Sequence, residues 1–486
     1  MSILVLAVLA LTALLPSAAH AVRNYQLELM DDQLLLGASD QQIADGLDEM
    51  VELGADRLRV SAFWRDIAPA PDSSSRPAFA ASDPNDPGYR WGSLDRVVVA
   101  ARERKLDVMI SISGPGPLWA SADPSKGRLW KPSPTDFADF AAAVATRYTP
   151  AVDRFALFNE PNQAGWLQPQ SECTGSGRSR RCELFAPHHY RDMVRASFPR
   201  VKAAAPRAQV LMGELASSGR DQGTREDRPI RPLDFLRAMA CRDSRYRAIR
   251  TGPCQGFRAA TADAIGHHPY SLFVSPSTRS RERSDAAFGD TSRLTRVIDK
   301  LQRLKGLRKD GSGRFSLHYT EFGYQTDPPD PYAGVSLSRQ SAWLQEAAYL
   351  AWRHSRVRTL SQFRITDGAI RDDLGGGKQF LEFQSGLRFA DGRAKPALRT
   401  FPVPIQASRT RIRKGSSTVL WGQIRPGRSH GVIIERRSGS RWVRETRTTT
   451  DRYGSFRKRL RPSRTTKYRF RYDDGSSAAV QIRVVR

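Results

Sequence analysis

The sequence predicts a (β/α)₈ barrel followed by a small all-β domain of immunoglobulin-like sandwich type. Three observations carry this prediction. Strand-like and helix-like segments alternate from Leu34 to Ile365, giving eight strand candidates. From about Pro402 the pattern changes to short alternating runs punctuated by glycine. Neither a Gly-x-Gly-x-x-Gly nor a P-loop motif follows any of the strand candidates, which argues against an open nucleotide-binding sheet.

The elements follow in order. Leu34 to Gly37 is a short apolar run, read as the first strand. In the helix after it, over Asp40 to Leu53, Ile43, Leu47, Met50 and Val51 recur at helical spacing. Arg57 to Phe63 reads as strand two, with Leu58, Val60 and Ala62 on one face, and Asp107 to Ser113 as a buried strand three. The remaining strands are Arg154 to Asn159, Gln209 to Gly213, Ala264 to His267, Ser316 to Thr320 and Thr359 to Ile365. Helical periodicity fills each interval. The last 86 residues, Phe401 to Arg486, contain Thr418 to Gly422, Gly431 to Glu435, Lys467 to Phe470 and Val480 to Ile482 as short strands. This gives a barrel over 22–400 and a β-sandwich over 401–486.

At the N-terminus, Ile3 to Leu15 is apolar and leads through Pro16 to Ala19-His20-Ala21. The run is too short to span a bilayer comfortably and matches the h-region and cleavage site of a secretory signal over 1–21, although no basic residue precedes it. Export to the extracellular space or cell envelope is therefore expected, without a membrane span. The four cysteines suit that compartment. Cys173 and Cys182 flank one short loop and Cys241 and Cys254 another, and two local disulfides would each stabilise by roughly 2–3 kcal/mol. Free thiols are the alternative, and metal ligation lacks the usual spacing.

The net charge of +27 is unevenly spread, with 22 Lys and Arg against 5 Asp and Glu from Phe401 onward. In an exported chain this excludes nucleic acid as the natural partner. It leaves an anionic envelope polymer or acidic polysaccharide, or simply a solvated basic surface.

In such a barrel, side chains at the carboxyl ends of the strands line the active site. Reading strand ends gives Arg59 with Trp64 beyond it, then Asn159 and Glu160, Glu214, His267-His268-Pro269-Tyr270, Glu321 and Asp367. Two carboxylates on different strand ends, one protonated and one ionised, are what cleavage of a glycosidic bond requires. Glu160 and Glu321 fit, with Arg59 placed to keep one of them charged.

Phe158-Asn159-Glu160-Pro161-Asn162 after strand four, with Thr320-Glu321-Phe322-Gly323 after strand seven, resembles the large clan of retaining glycosidases that includes the cellulase and β-xylosidase families. The resemblance spans about residues 24–400. It implies Glu160 as general acid/base, Glu321 as nucleophile and Asn159 as a donor to the sugar 2-hydroxyl. Arg59 and Tyr270 would stand beside Glu321, with His268-Pro269-Tyr270 matching the His-x-Tyr after strand six. No cofactor or metal is implied, and the expected substrate is a β-linked oligo- or polysaccharide. Two departures bear on substrate: many members carry a tryptophan after strand eight, whereas here the segment is Ser361-Gln362-Phe363-Arg364-Ile365-Thr366-Asp367, and no histidine follows strand three. Trp64, Trp119, Trp166 and Tyr324 are candidate sugar platforms, and Glu214 a candidate hydroxyl ligand. The competing expectation is a non-catalytic carbohydrate-binding or envelope-associated protein on the same barrel.

Overall fold

The computed structural model describes residues 25–486 except 222, 224 and 474. The signal segment proposed for 1–21 lies outside the described residues.

Eight parallel strands close into a barrel: β1 (Gln26–Met30), β2 (Arg57–Phe63), β3 (Asp107–Ser113), β4 (Arg154–Leu157), β5 (Gln209–Ala216), β6 (Ala264–His268), β7 (Leu317–Tyr319) and β8 (Val357–Phe363). Neighbours in sequence are neighbours in the sheet, and β8 pairs with β1 to close it. Helices Asp40–Glu52, Gly92–Glu103, Pro134–Tyr148, Ala186–Ala204, Pro232–Met239, Thr291–Arg303 and Leu337–Arg353 form the successive crossovers. Each turns an apolar stripe inward. In Thr291–Arg303 the buried side chains include Leu294, Val297, Ile298 and Leu301, the spacing of one helical face.

The first strand corrects the sequence reading. Leu34 lies within a short helical turn, Asp32–Leu35, capped by the Asp31 side chain, and the strand is Gln26–Met30. Its pattern concealed it. Leu27 and Leu29 pack in the main core, whereas Glu28 between them is fully buried and paired in register with Arg57 and Ser361. A charged residue at the centre of a short strand does not look like a strand when burial is assumed to be apolar.

That residue belongs to a strongly polar barrel interior. Strand residues alternate between the helix layer and the lumen, and Arg57, Arg59, Ser111, Arg154, His318, Thr359 and Ser361 are all buried. At the amino-terminal end Arg57 pairs with Asp153 and, at 3.3 Å, with Asp107. The small apolar layer Met109, Ala156, Leu211 and Ala264 forms a core cluster separate from the outer one.

Beyond the barrel, an antiparallel three-stranded sheet (Ile405–Ala407, Thr418–Gln423, Ser455–Leu460) and a second sheet built on Gly431–Ser438, Arg441–Thr449, Thr466–Tyr472 and Val480–Val485 enclose a separate core. Leu420, Phe456, Ile434, Tyr468, Phe470 and Ile482 meet there. This all-β unit is fastened to the barrel. Trp421 is fully buried, with its ring centroid 5.6 Å from those of both Tyr349 and Trp352 on the last long helix. The Arg425 guanidinium donates to the Tyr25 hydroxyl at 2.5 Å and to the Phe401 carbonyl at 2.9 Å. Two disulfides, Cys173–Cys182 and Cys241–Cys254, each staple a local loop, and no free cysteine remains.

Truncation of a buried tryptophan leaves a cavity. Trp421→Ala is expected to cost about 3–5 kcal/mol, read as an earlier chemical-denaturation midpoint, with Trp421→Phe losing much less.

Candidate active site

The carboxyl ends of the strands open into a cavity of about 470 Å³ whose walls include Asn159, Glu160, Tyr270 and Glu321. Three strand ends, those of β4, β6 and β7, deliver these groups. After β4 the chain passes through two residues with positive φ, Phe158 (72°) and Glu160 (38°). Such conformations cost free energy and persist only where the surroundings impose them. Here the Phe158 amide donates to the Ile112 carbonyl at 2.8 Å and the Glu160 amide to the Glu214 carbonyl at 3.1 Å, so neighbouring strands hold both residues. The Phe158 ring lies where a Cβ on Gly114 would come within 2.8 Å of it, which ties the glycine after β3 to the motif after β4. Asn162 clamps the far side: its side chain accepts from the Ala216 amide at 2.9 Å and donates to the Ile230 carbonyl at 2.9 Å.

Glu160 and Glu321 face one another across His268. The His268 Nδ1 stands 2.9 Å from a Glu160 oxygen and 3.5 Å from a Glu321 oxygen. One oxygen of each carboxylate and a ring nitrogen of His268 all lie within 4.8 Å of one another. The Tyr270 hydroxyl donates to Glu321 at 3.1 Å, and Arg59 Nη1 stands 3.1 Å from the other Glu321 oxygen. Arg59 Nη2 donates to the Asn159 Oδ1 at 3.2 Å, leaving the Asn159 amide nitrogen as the group available to a ligand. Arg59, Asn159, Glu160, His268, Tyr270 and Glu321 are thus brought together.

Beneath them lies Glu214, fully buried at the end of β5. It accepts from Arg59 Nε at 3.2 Å and from the Ser111 hydroxyl, and stands 3.9 Å from His268 Nε2, an attraction of charge without a hydrogen bond. A register shift in β5 between Met212 and Leu215 turns Glu214 inward with a φ of 46°. Gly266 on β6 makes room, since a Cβ there would come within 2.8 Å of the Glu214 Cγ. Sequence reading offered Glu214 as a hydroxyl ligand; its contacts are instead with Arg59, Ser111 and His268. The bulge that turns it is set by cross-strand pairing and leaves no local sequence signature beyond the glycine before it.

These charges set one another. Burial pushes the Glu214 carboxyl up, but Arg59, His268 and Ser111 outweigh it and hold the group down at about 2. Burial likewise pulls the His268 imidazole down, while Glu321, Glu160 and Glu214 raise it to about 10. Burial lifts the Glu321 carboxyl above the ordinary carboxylate value, against the pull of His268 and Arg59, and the charges of Glu160 and Glu214 add to the lift. The charge of Glu160 so close by therefore makes ionisation of Glu321 harder. Glu160, His268 and Glu321 have the donor types of a divalent-cation site. Arg59 Nη1 already stands 3.1 Å from one of the Glu321 oxygens.

Other candidates fall elsewhere. Trp64 and Trp119 do not line the cavity. Trp64 is buried against Phe137 and Phe140, and Trp119 meets it edge-on at 6.0 Å, so both serve aromatic packing. Trp166 and Tyr324 do line it, although the Tyr324 hydroxyl is committed to the Val274 carbonyl at 3.0 Å. His267 points away and bonds the Ala286 carbonyl at 2.6 Å, and Asp367 pairs with Lys395 at 2.7 Å. After β8, Phe363 and Arg364 stand on the wall, with Arg364 bonded to Gln33 at 2.6 Å.

No protein-family model matches the chain, and no curated protein matches it. Among solved structures, it is similar to an FMN-binding β-glucuronidase from Facaelibacterium prausnitzii L2-6 (10% identity, 96% of this chain and 57% of that one, TM-score 0.42). It is also similar to a glucosidase from Croceicoccus marinus (12%, 91% and 94%, TM-score 0.48) and a GH2 β-galacturonidase from Eisenbergiella tayi (12%, 78% and 51%, TM-score 0.42). The chain thus spans little more than half the length of the first and about half of the third. Similarity this remote supports no inference about substrate or mechanism.

A group charged in the fold at higher pH than when unfolded stabilises fully below its unfolded value and ceases to do so above its folded one. Stability owed to His268 should therefore be complete below pH 6.5 and decline as pH rises to about 10. In His268→Gln, thermal unfolding followed across that window should lose this alkaline decline; an unchanged profile would refute the charge assignment.

Proposed function

We propose that the protein is a secreted glycoside hydrolase that cleaves β-glycosidic bonds with retention, by double displacement. The observation that carries this reading is the placement of Glu160 and Glu321, with carboxylate oxygens within 4.8 Å of each other at the mouth of a barrel. A retaining pair needs its carboxyl groups about 5–5.5 Å apart, whereas an inverting pair leaves about 6.5–9.5 Å for a water molecule.

The division of roles follows from the surroundings. Arg59 and Tyr270 both contact Glu321 in ways that favour its charged form. With Glu160 carrying the proton that its role as acid requires, the repulsion between the two carboxylates disappears, and Arg59 and His268 hold Glu321 ionised for attack on the anomeric carbon. Glu160 gives its proton to the departing oxygen. In the second step it takes a proton from the water that attacks C1, which releases Glu321 and the sugar with its original configuration. The proton count is restored after each cycle. Asn159, positioned by Arg59, is the donor for the sugar 2-hydroxyl, an interaction that strengthens as positive charge develops at the ring. The cycle requires no cofactor. The alternative, a barrel that binds carbohydrate without cleaving it, would not need two carboxylates so close together.

The basic C-terminal unit supports a second, separable proposal. Arg441, Arg444 and Arg447 are exposed along strand Arg441–Thr449, within a region of 22 Lys and Arg against 5 Asp and Glu. We infer that this surface holds the protein on an anionic envelope polymer or acidic polysaccharide. The full-length protein should be retained on an anionic polysaccharide matrix and released by modest salt, because exposed charges are screened over about 10 Å at 0.1 M. Retention that salt does not alter would refute the inference.

Activity should be sought on a panel of aryl β-glycosides and β-linked polysaccharides. Glu160→Gln is expected to lower turnover about 10²–10⁴-fold, and Glu321→Gln to abolish it, with the first-formed product of the native chain retaining its anomeric configuration by NMR. Hydrolysis that survives both substitutions would end this reading.

A further inference from the structure

Among the described residues, the large apolar side chains left exposed are not scattered. Apart from Val51, Val99 and Ile249, they are Leu272, Phe273, Val274, Tyr332, Ile370, Leu381 and Phe383. All seven of the latter come from loops that follow β6, β7 and β8, three adjacent strands of the barrel. Four of them, Leu272, Phe273, Leu381 and Phe383, line the same cavity as Glu160 and Glu321, and each is between 49% and 58% exposed. Isolated exposed apolar residues are ordinary; a contiguous group at the mouth of a site marks a binding surface.

The rim is held in place. Leu272 and Phe383 adopt positive φ (50° and 61°), conformations that a side-chain-bearing residue enters only when constrained. The Tyr324 hydroxyl holds the Val274 carbonyl at 3.0 Å, the Phe383 carbonyl accepts from the Gly368 amide at 3.0 Å, and the Phe383 ring meets Phe363 edge-on at 5.5 Å. Two leucines and two phenylalanines, none with a polar atom in its side chain, suit a hydrocarbon better than a second sugar. Sugar hydroxyls turned toward them would lose water without gaining a partner. Groups that can bond hydroxyls line the cavity too, with Asn159 on the floor, Asp32, Gln33 and Ser61 on the side of β1 and β2, and Gln325, Glu382 and Ser385 next to the rim, but the four rim side chains themselves offer none.

Resting on the glycosidase reading, we propose that the leaving group of the natural substrate is apolar. The enzyme takes a β-glycoside with a long alkyl aglycone, seating the sugar over Glu160 and Glu321 and the chain against Leu272, Phe273, Leu381 and Phe383. This favours an amphipathic glycoside over the oligo- or polysaccharide expected from the sequence.

The test is a series of methyl, n-hexyl and n-octyl β-D-glucosides with the matching galactosides and xylosides, below their critical micelle concentrations. kcat/KM is read on the native chain, and binding to Glu160→Gln is read by calorimetry. A methylene gains about fourfold when fully buried, so a half-open rim should give the octyl compound about a 10- to 100-fold advantage over the methyl one in both readouts. Phe273→Ser and Phe383→Ser, each monitored for folding by circular dichroism, should bring the octyl-to-methyl ratio toward one. Hydrolysis and binding that are indifferent to chain length would overturn the alkyl assignment and leave the hydrolase reading intact. Binding that grows with chain length, without hydrolysis of any member, would overturn the hydrolase reading and keep the apolar site. Adsorption to phosphatidylcholine vesicles with no chain-length effect would overturn the proposal in favour of a membrane contact.

Discussion

The site depends on one buried ion pair. Arg59 enters the barrel lumen from β2 and meets Glu214 from β5, both out of reach of water. Removing one member of such a pair generally costs about 3–5 kcal/mol, because the other is left charged and unpaired in a poor dielectric. The pair also shapes what lies above it. Arg59 has donors to spare after Glu214 is satisfied, and it directs them to Asn159 and Glu321. Glu214, in turn, lies near the far nitrogen of His268 and helps to keep that ring charged between the two carboxylates. The groups proposed to do chemistry therefore rest on a layer that does none.

This arrangement explains why the lumen is so polar. A lumen filled with aliphatic layers would give Arg59 no counter-charge, and the strand ends would need another way to hold Glu321 ionised. Glu28, deeper in the lumen, shows the cost of the design. Burial raises its carboxyl to about 7, and both of its oxygens lack a hydrogen-bond partner, with the nearest guanidinium, that of Arg154, 4.0 Å away. Packing on the outer face of the strands, where Leu58, Val60 and Ala62 meet the helices, compensates for this polar interior.

Much of this was legible in the sequence, and the failures share a cause. Seven strands and the crossover helices announce themselves because their outward faces obey simple periodicity. β1 does not, because Glu28 breaks its apolar run. Asn159, Glu160 and Glu321 were found from strand-end position and motif, and Arg59, His268 and Tyr270 came with them. Trp64 and Trp119 stand as candidate sugar platforms in the sequence because an aromatic near a strand end looks the same whether it faces the cavity or the helix layer. The contacts of Glu214 escaped because they depend on a bulge between Met212 and Leu215, a property of pairing and not of composition. The apolar rim was invisible for a related reason: Phe273 and Phe383 are far apart in sequence and meet one cavity only after the barrel closes.

The attachment of the C-terminal unit has a geometric consequence. Arg425 reaches Tyr25, just before β1, and lies against Gly54, just before β2. Both are at the amino-terminal end of the barrel, whereas the cavity opens at the opposite end. The C-terminal unit is thus fastened at the end of the barrel away from the cavity, so its attachment leaves the mouth uncovered and open to the medium.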